Sequence, residues 1–166
     1  MLDWLNTAPG DELRTALLAC CAAERWAERI AAQRPYPDED ALRAASDEAT
    51  AALDDAGLAQ ALAGHPRIGE RASGHGGAWS RQEQSGVAGA GDDARARLAA
   101  ANAAYEERFG HVYLVFATGK NAEELLAICT ARVRNDPDTE RGVVIAELAK
   151  INRLRLGKLL HPEVVR

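Results

Sequence analysis

The chain has 166 residues, 47% of them hydrophobic and 27% charged, with a formal net charge of −5. That length suits one ordinary core, and a mildly acidic chain without a basic run lacks the clustered Lys and Arg that nucleic acid requires. No apolar run approaches the roughly 20 residues of a membrane span, so neither nucleic acid nor membrane is an expected partner.

Ala and Leu dominate the apolar share and aromatics are only 5%. Both residues are strong helix formers, which predicts an all-α fold. Met1-Leu2-Asp3-Trp4 has neither a basic nor an apolar leader region, so no secretory signal is expected. Asn6-Thr7-Ala8-Pro9 reads as a helix start, with a capping residue and Pro early in the first turn. Helical spacing of Leu13, Leu17, Leu18 and Cys21, then of Trp26, Ala27 and Ile30, carries the helix from Glu12 to about Gln33. A bend at Ala22-Ala23 would split it in two, and Pro35 and Pro37 end it. Asp38-Glu39-Asp40 opens the next helix with acids in its first turn. It runs to about Asp55, with Gly57 as its stop. Leu58–Gly64 is a short helix that leads into His65-Pro66-Arg67-Ile68-Gly69.

Residues 72–78 are rich in Gly and Ser and predict a mobile loop. A helix follows from Trp79 to about Val87, with Ser80 as cap and Glu83 three residues on, the spacing of a capping box. Gly86–Gly91 is a break. Asp92–Phe109 is a long helix ended by Gly110. His111–Phe116 is the one β-like run; a lone strand makes no sheet, so it predicts a buried extended segment. Asn121 caps a helix to about Arg134, Asn135-Asp136-Pro137 turns, and Asp138 opens a last helix to about Leu160. The expected architecture is a single-domain bundle of about eight or nine helices over residues 1–166, with one buried extended segment near 111–117.

Cys20 and Cys21 are adjacent and Cys129 is distant, which fits neither a disulfide framework nor zinc spacing. Reduced thiols are expected, with Cys20 and Cys129 as small core residues. His65, Glu70 and His75 are spaced by five, off one helix face, and there is no His-Glu-x-x-His, so no metal is expected.

Four places concentrate polar chemistry. His65 stands between Gly64 and Pro66 at a helix end. Pro keeps the preceding residue away from helical angles, which holds His65 in a fixed direction, as a general acid or base needs. The bland alternative is a His that caps the helix before it. Ser80, Glu83 and Gln84 put a hydroxyl, a carboxylate and an amide at one helix start, next to free N–H groups that favour an anion; a plain capping box explains Ser80 and Glu83 equally well. Thr118-Gly119-Lys120 evokes a phosphate loop, but residue 114 is Leu where that loop needs Gly, and Lys120 is followed by Asn. The extended run before it has no strand partner, so its backbone must bond to a ligand or to a neighbouring loop. On the last helix, Leu148, Ile151, Leu156 and Leu159 form a core stripe. Arg155 flanks it; on spacing alone, an exposed, solvated Arg is the better reading.

In their order and separation these pieces resemble the decarboxylases of 2-oxo-4-hydroxy-4-carboxy-5-ureidoimidazoline, the OHCU decarboxylases of urate breakdown. The resemblance rests on Asn6, Cys20-Cys21 followed by Arg25-Trp26, His65-Pro66-Arg67-Ile68-Gly69, and Ser80-x-x-Glu83-Gln84. It continues through Phe109-Gly110, Ala117-Thr118-Gly119-Lys120, Asn135-Asp136, and Lys150-Ile151 followed by Arg155-Leu156. It implies an all-α enzyme without cofactor or metal that forms (S)-allantoin from an anionic ureidoimidazoline with loss of CO2. It implies catalytic roles for His65 and Glu83. Implied substrate contacts are Pro66, Ser80, Gln84, Val115, Phe116, Ala117, Thr118, Gly119 and Arg155. His75 inherits no role. The rivals are a hydrolase or lyase acting on a related ureido compound, and a non-catalytic helical interaction module. The ending Val164-Val165-Arg166 is no Ser-Lys-Leu type address, and the Ala- and Arg-rich composition has a bacterial character, so a cytoplasmic location is expected. Helical faces outnumber what one small core covers, which suggests a homodimer.

Overall fold

The computed structural model describes residues 1–70 and 77–162. Among them it is all-helical, with no strand. The ten helices are α1 (Leu2–Thr7), α2 (Gly10–Cys20), α3 (Glu24–Ala32), α4 (Glu39–Ala51), α5 (Asp55–Ala63), α6 (Gly77–Glu83), α7 (Ser85–Ala88), α8 (Asp92–Phe109), α9 (Ala122–Arg132) and α10 (Pro137–Leu160). The chain forms two compact units: Met1–Gly64 with the chain from Leu148 onward, and His65–Glu147.

In the first unit α3 packs against α2, α4 and α5. It does so because Trp26, Ala27 and Ile30 fall on one face and are all buried. The Trp26 indole N–H, which must find a partner once buried, donates to the Ser46 carbonyl at 3.3 Å. Chain breaks are set by local chemistry. Asp38 caps α4 by accepting from the Ala41 N–H, and Asp54 caps α5 by accepting from the Gly57 N–H, each at 2.8 Å. Arg34 closes the end of α1, donating to the Leu5 and Ala8 carbonyls at 3.1 Å each.

In the second unit α8 packs on α9 over a core of Ile68, Val87, Leu98, Tyr105, Tyr113, Val115, Leu125 and Cys129. Asn121 and Glu124 form a reciprocal capping box at the start of α9, with bonds of 3.0 and 2.8 Å. Residues 112–117 are non-helical, and Tyr113, Leu114, Val115 and Ala117 are buried, as the apolar run predicts.

α7 runs so close to the chain at Lys120 that a Cβ on Gly86 would lie 2.1 Å from the Lys120 carbonyl oxygen. The obstacle is backbone, which cannot swing aside. Gly86→Ala is therefore expected to destabilise the protein by about 1–3 kcal/mol or more, seen as a lower thermal midpoint in circular dichroism. An unchanged midpoint would contradict this close approach.

Several expectations from sequence are corrected. Asn6 caps nothing: α1 already contains it, and its amide pairs both ways with the Tyr36 backbone, Nδ2 to O at 2.9 Å and Oδ1 from N at 2.8 Å. Gly57 does not stop a helix; it is in the first turn of α5, and α4 ends at Ala51. Ser80 is no cap, because α6 begins at Gly77 and places Ser80 inside it. The helix expected from Trp79 to Val87 is interrupted at Gln84. The expected split at Ala22-Ala23 is present between α2 and α3. The buried stripe of α10 takes Leu160 in place of Leu159 and also contains Asn152 and Arg155. Residues 72–76 of the expected loop, including His75, lie outside the described residues, and Gly77 and Ala78 already belong to α6. No helix of the described residues is long and apolar enough to cross a membrane.

Candidate active site

His65 opens the second unit at the start of the non-helical stretch that follows α5, and both His65 and Pro66 are half-buried. The turn that follows is tied down at several points. Ile68 is buried in the core, and its carbonyl accepts from Asn102 Nδ2 at 3.0 Å. Gly69 has a φ of 93°, a left-handed value that disfavours any other residue. Its N–H donates to Gln84 Oε1 at 2.8 Å. The Arg67 guanidinium holds the Glu106 carboxylate in a two-pronged pair at 2.6 and 2.8 Å. This pair and its hydrogen bonds hold the Glu106 carboxyl below the usual carboxylate range.

The Gly69–Gln84 bond joins the His65 turn to the helix that carries Ser80 and Glu83. Those two residues are three apart, share a face of α6, and are 4% and 8% exposed. Two polar side chains withdrawn from water on one face need polar partners. Gln84 follows the last residue of α6, and its carbonyl oxygen is engaged by Gly69.

The stretch from Val115 to Gly119 divides by role. Val115 and Ala117 bury their side chains in the core. The Phe116 N–H donates to Glu147 Oε2 and the Phe116 carbonyl accepts from Lys120 Nζ, both at 2.7 Å. The same ammonium lies 5.4 Å from the centre of the Phe116 ring. Thr118 and Gly119 form an exposed turn. The backbone of this run therefore bonds to charged side chains, a third solution beside the ligand and the loop that the sequence leaves open.

Arg155 belongs to the first unit, and the exposed reading is overturned: it is 3% exposed and donates to the Cys20 carbonyl at 3.2 Å. Its neighbour one turn back, Asn152, donates to Thr50 Oγ1 at 3.1 Å. The nearby Cys21 thiol is pushed up in pKa by burial, against the opposing pull of its hydrogen bonds and of Arg155. All three cysteines are buried, and none forms a disulfide.

A family model described as OHCU decarboxylase matches residues 6–157. The chain belongs to the OHCU decarboxylase family. The 2-oxo-4-hydroxy-4-carboxy-5-ureidoimidazoline decarboxylase of Amia calva is 34% identical over 134 residues, covering 77% of this chain and 75% of that protein. The uric acid degradation bifunctional protein TTL of Arabidopsis thaliana is 28% identical over 145 residues, 84% of this chain; the match spans only 45% of that larger protein. The crystal structure of an OHCU decarboxylase in the presence of (S)-allantoin superposes with a TM-score of 0.75 at 26% identity, covering 87% of this chain and 96% of the other.

Sequence reading missed the residues that hold the OHCU decarboxylase motifs in place. Asn102 was detectable as a polar residue in line with Leu98 and Tyr105, the other buried positions of α8. Lys120 stands in the Thr118-Gly119-Lys120 motif, but no spacing rule marks it or Glu147 as a clamp on Phe116, because the groups they hold are backbone.

Proposed function

We propose that this chain is a carboxy-lyase that converts 2-oxo-4-hydroxy-4-carboxy-5-ureidoimidazoline to (S)-allantoin and CO2 in urate breakdown. The observation that carries this reading is the family match, which runs over residues 6–157 and so includes the His65 turn, the Ser80–Gln84 motif and Arg155. In the reaction, the C–C bond to the carboxylate breaks, CO2 departs, and the bonding pair passes into the conjugated C=N and carbonyl of the ring. A proton then returns to that carbon from one face.

The substrate holds the charge itself, so the protein's part is orientation, electrostatic stabilisation and proton delivery without metal or organic cofactor. His65 engages the 4-hydroxyl and delivers the proton; imidazole ordinarily titrates near neutrality, which suits transfer in both directions. Glu83 accepts from ring or ureido N–H groups. Arg155 supplies a fixed positive charge for a carbonyl or carboxylate oxygen. Pro66, Ser80, Gln84 and the run from Val115 to Gly119 complete the substrate contacts. Residues 1–166 are read as a single OHCU decarboxylase-like domain that works in the cytoplasm as a homodimer.

The test generates the substrate in place from urate with urate oxidase and hydroxyisourate hydrolase and follows circular dichroism. Fast growth of an (S)-allantoin signal is expected on adding the protein. Slow formation of racemic allantoin, as without protein, would overturn the reading in favour of a related ureido substrate or a binding module.

A further inference from the structure

We propose that Asn102, on α8, is a positioning residue for His65; this rests on the catalytic reading of His65 above. Pro66 stiffens the turn locally, but a stiff turn aims its side chain only as well as the turn is anchored. The anchors converge on α8. Asn102 and Glu106 stand one helical turn apart on one face, the first bonded to the Ile68 carbonyl and the second to the Arg67 guanidinium. They differ in environment. The Arg67–Glu106 pair is wet, with the Arg67 side chain 49% exposed, and exposed pairs hold geometry weakly. Asn102 is 4% exposed, so its bond to Ile68 faces little competition from water and is costly to leave unmade.

The residue type carries the argument further. Packing alone favours Leu between Leu98 and Tyr105. Asn102 instead leaves its own Oδ1 buried with no hydrogen-bond partner among the described residues. A buried amide with half its capacity unmet breaks the rule that core polar groups are satisfied, and such local violations collect where function requires them. What Asn102 gains is a single bond to the carbonyl three residues beyond His65. Together with the Gly69–Gln84 bond it fixes the far end of the turn, while Pro66 fixes the near end.

The experiment compares wild type with Asn102→Leu and Asn102→Ala. Leu fills the site and removes the orphaned oxygen, so N102L is expected to remain folded; N102A provides a second variant with less steric demand. Both are expected to lower kcat about tenfold to a hundredfold, to reduce the enantiomeric excess of (S)-allantoin, and to leave KM nearly unchanged. The His65 imidazole resonances, followed by NMR across pH, are expected to shift in both. A merely structural role would lower the active fraction but leave the stereochemistry and the His65 titration as in wild type. Folded variants with wild-type kcat, enantiomeric excess and His65 resonances would overturn the proposal. A wild-type protein that forms no (S)-allantoin would sink the decarboxylase reading instead, and the His65 resonances would still decide the positioning role.

Discussion

Replacing His65 with Ala is expected to lower kcat for (S)-allantoin formation by about 10²- to 10⁴-fold, the usual contribution of a positioned general acid–base, and to leave the remaining product close to racemic. The two effects share one cause. If His65 delivers the proton to one face of the reacting carbon, its loss leaves water to protonate either face. The variant is expected to remain folded, since His65 is half-buried at a helix end rather than in the core. If His65 were only closing the preceding helix, the change would cost about 1 kcal/mol of stability and would leave rate and stereochemistry untouched. Chiral chromatography of the product, beside a urea melt of the same sample, separates these outcomes. A racemic product at wild-type rate would assign His65 to stereocontrol alone. Unchanged rate and enantiomeric excess would remove it from the site.

What was legible in the sequence follows the range over which each signal acts. Asp38 capping α4, Asn121 with Glu124 opening α9, and Gly110 closing α8 all work within one helical turn, so spacing alone locates them. The same residue types mislead where tertiary partners take them over. Asn6 has the chemistry of a cap, yet its amide is spent on Tyr36, 30 residues away. Gly57 resembles a stop, yet it supplies the N–H that Asp54 caps. The candidate site divides in the same way. The stiffness of the His65–Pro66 turn is local and readable. Its anchors, Gln84, Asn102 and Glu106, lie 15, 34 and 39 residues from their partners, and no spacing rule links them. Spacing alone misplaces Arg155, because a cation beside an apolar stripe usually turns to water. Here its guanidinium bonds to the carbonyl of Cys20, at the corner where α2 ends.

Arg132→Met is expected to be the most destabilising of these substitutions, by about 3–5 kcal/mol, the typical result of leaving one member of a buried ion pair behind. Arg132 and Glu140 are both buried. The guanidinium donates to Glu140 Oε1 through Nε at 2.9 Å and Nη2 at 2.6 Å, and to the Leu114 carbonyl through Nη1 at 2.7 Å. The Tyr105 hydroxyl also donates to Glu140 Oε1, and Asn135 Nδ2 reaches Oε2 at 2.8 Å. The rings of Tyr113 and Tyr105 stand 5.1 and 5.7 Å from the guanidinium carbon, within cation–π range. Burial opposes the Arg132 cation, but Glu140 and the two tyrosines outweigh it and hold its pKa above the ordinary value. Methionine keeps much of the apolar stem and removes every donor, so Glu140 is left charged and buried and Leu114 loses its partner. Adding Glu140→Leu removes that stranded charge. The double variant is therefore expected to recover a large part of the loss, because apolar replacement of a whole buried pair is often close to neutral. Urea denaturation of the four proteins closes the cycle. A single-variant loss below about 1 kcal/mol would show that the pair behaves as an exposed one. Stability and activity are expected to separate in the double variant. Leu114 is two residues from Phe116, whose N–H and carbonyl are clamped by Glu147 and Lys120. On the substrate contacts proposed for Val115 to Gly119, loss of the Arg132–Leu114 bond is expected to raise KM even where the core is refolded and stable.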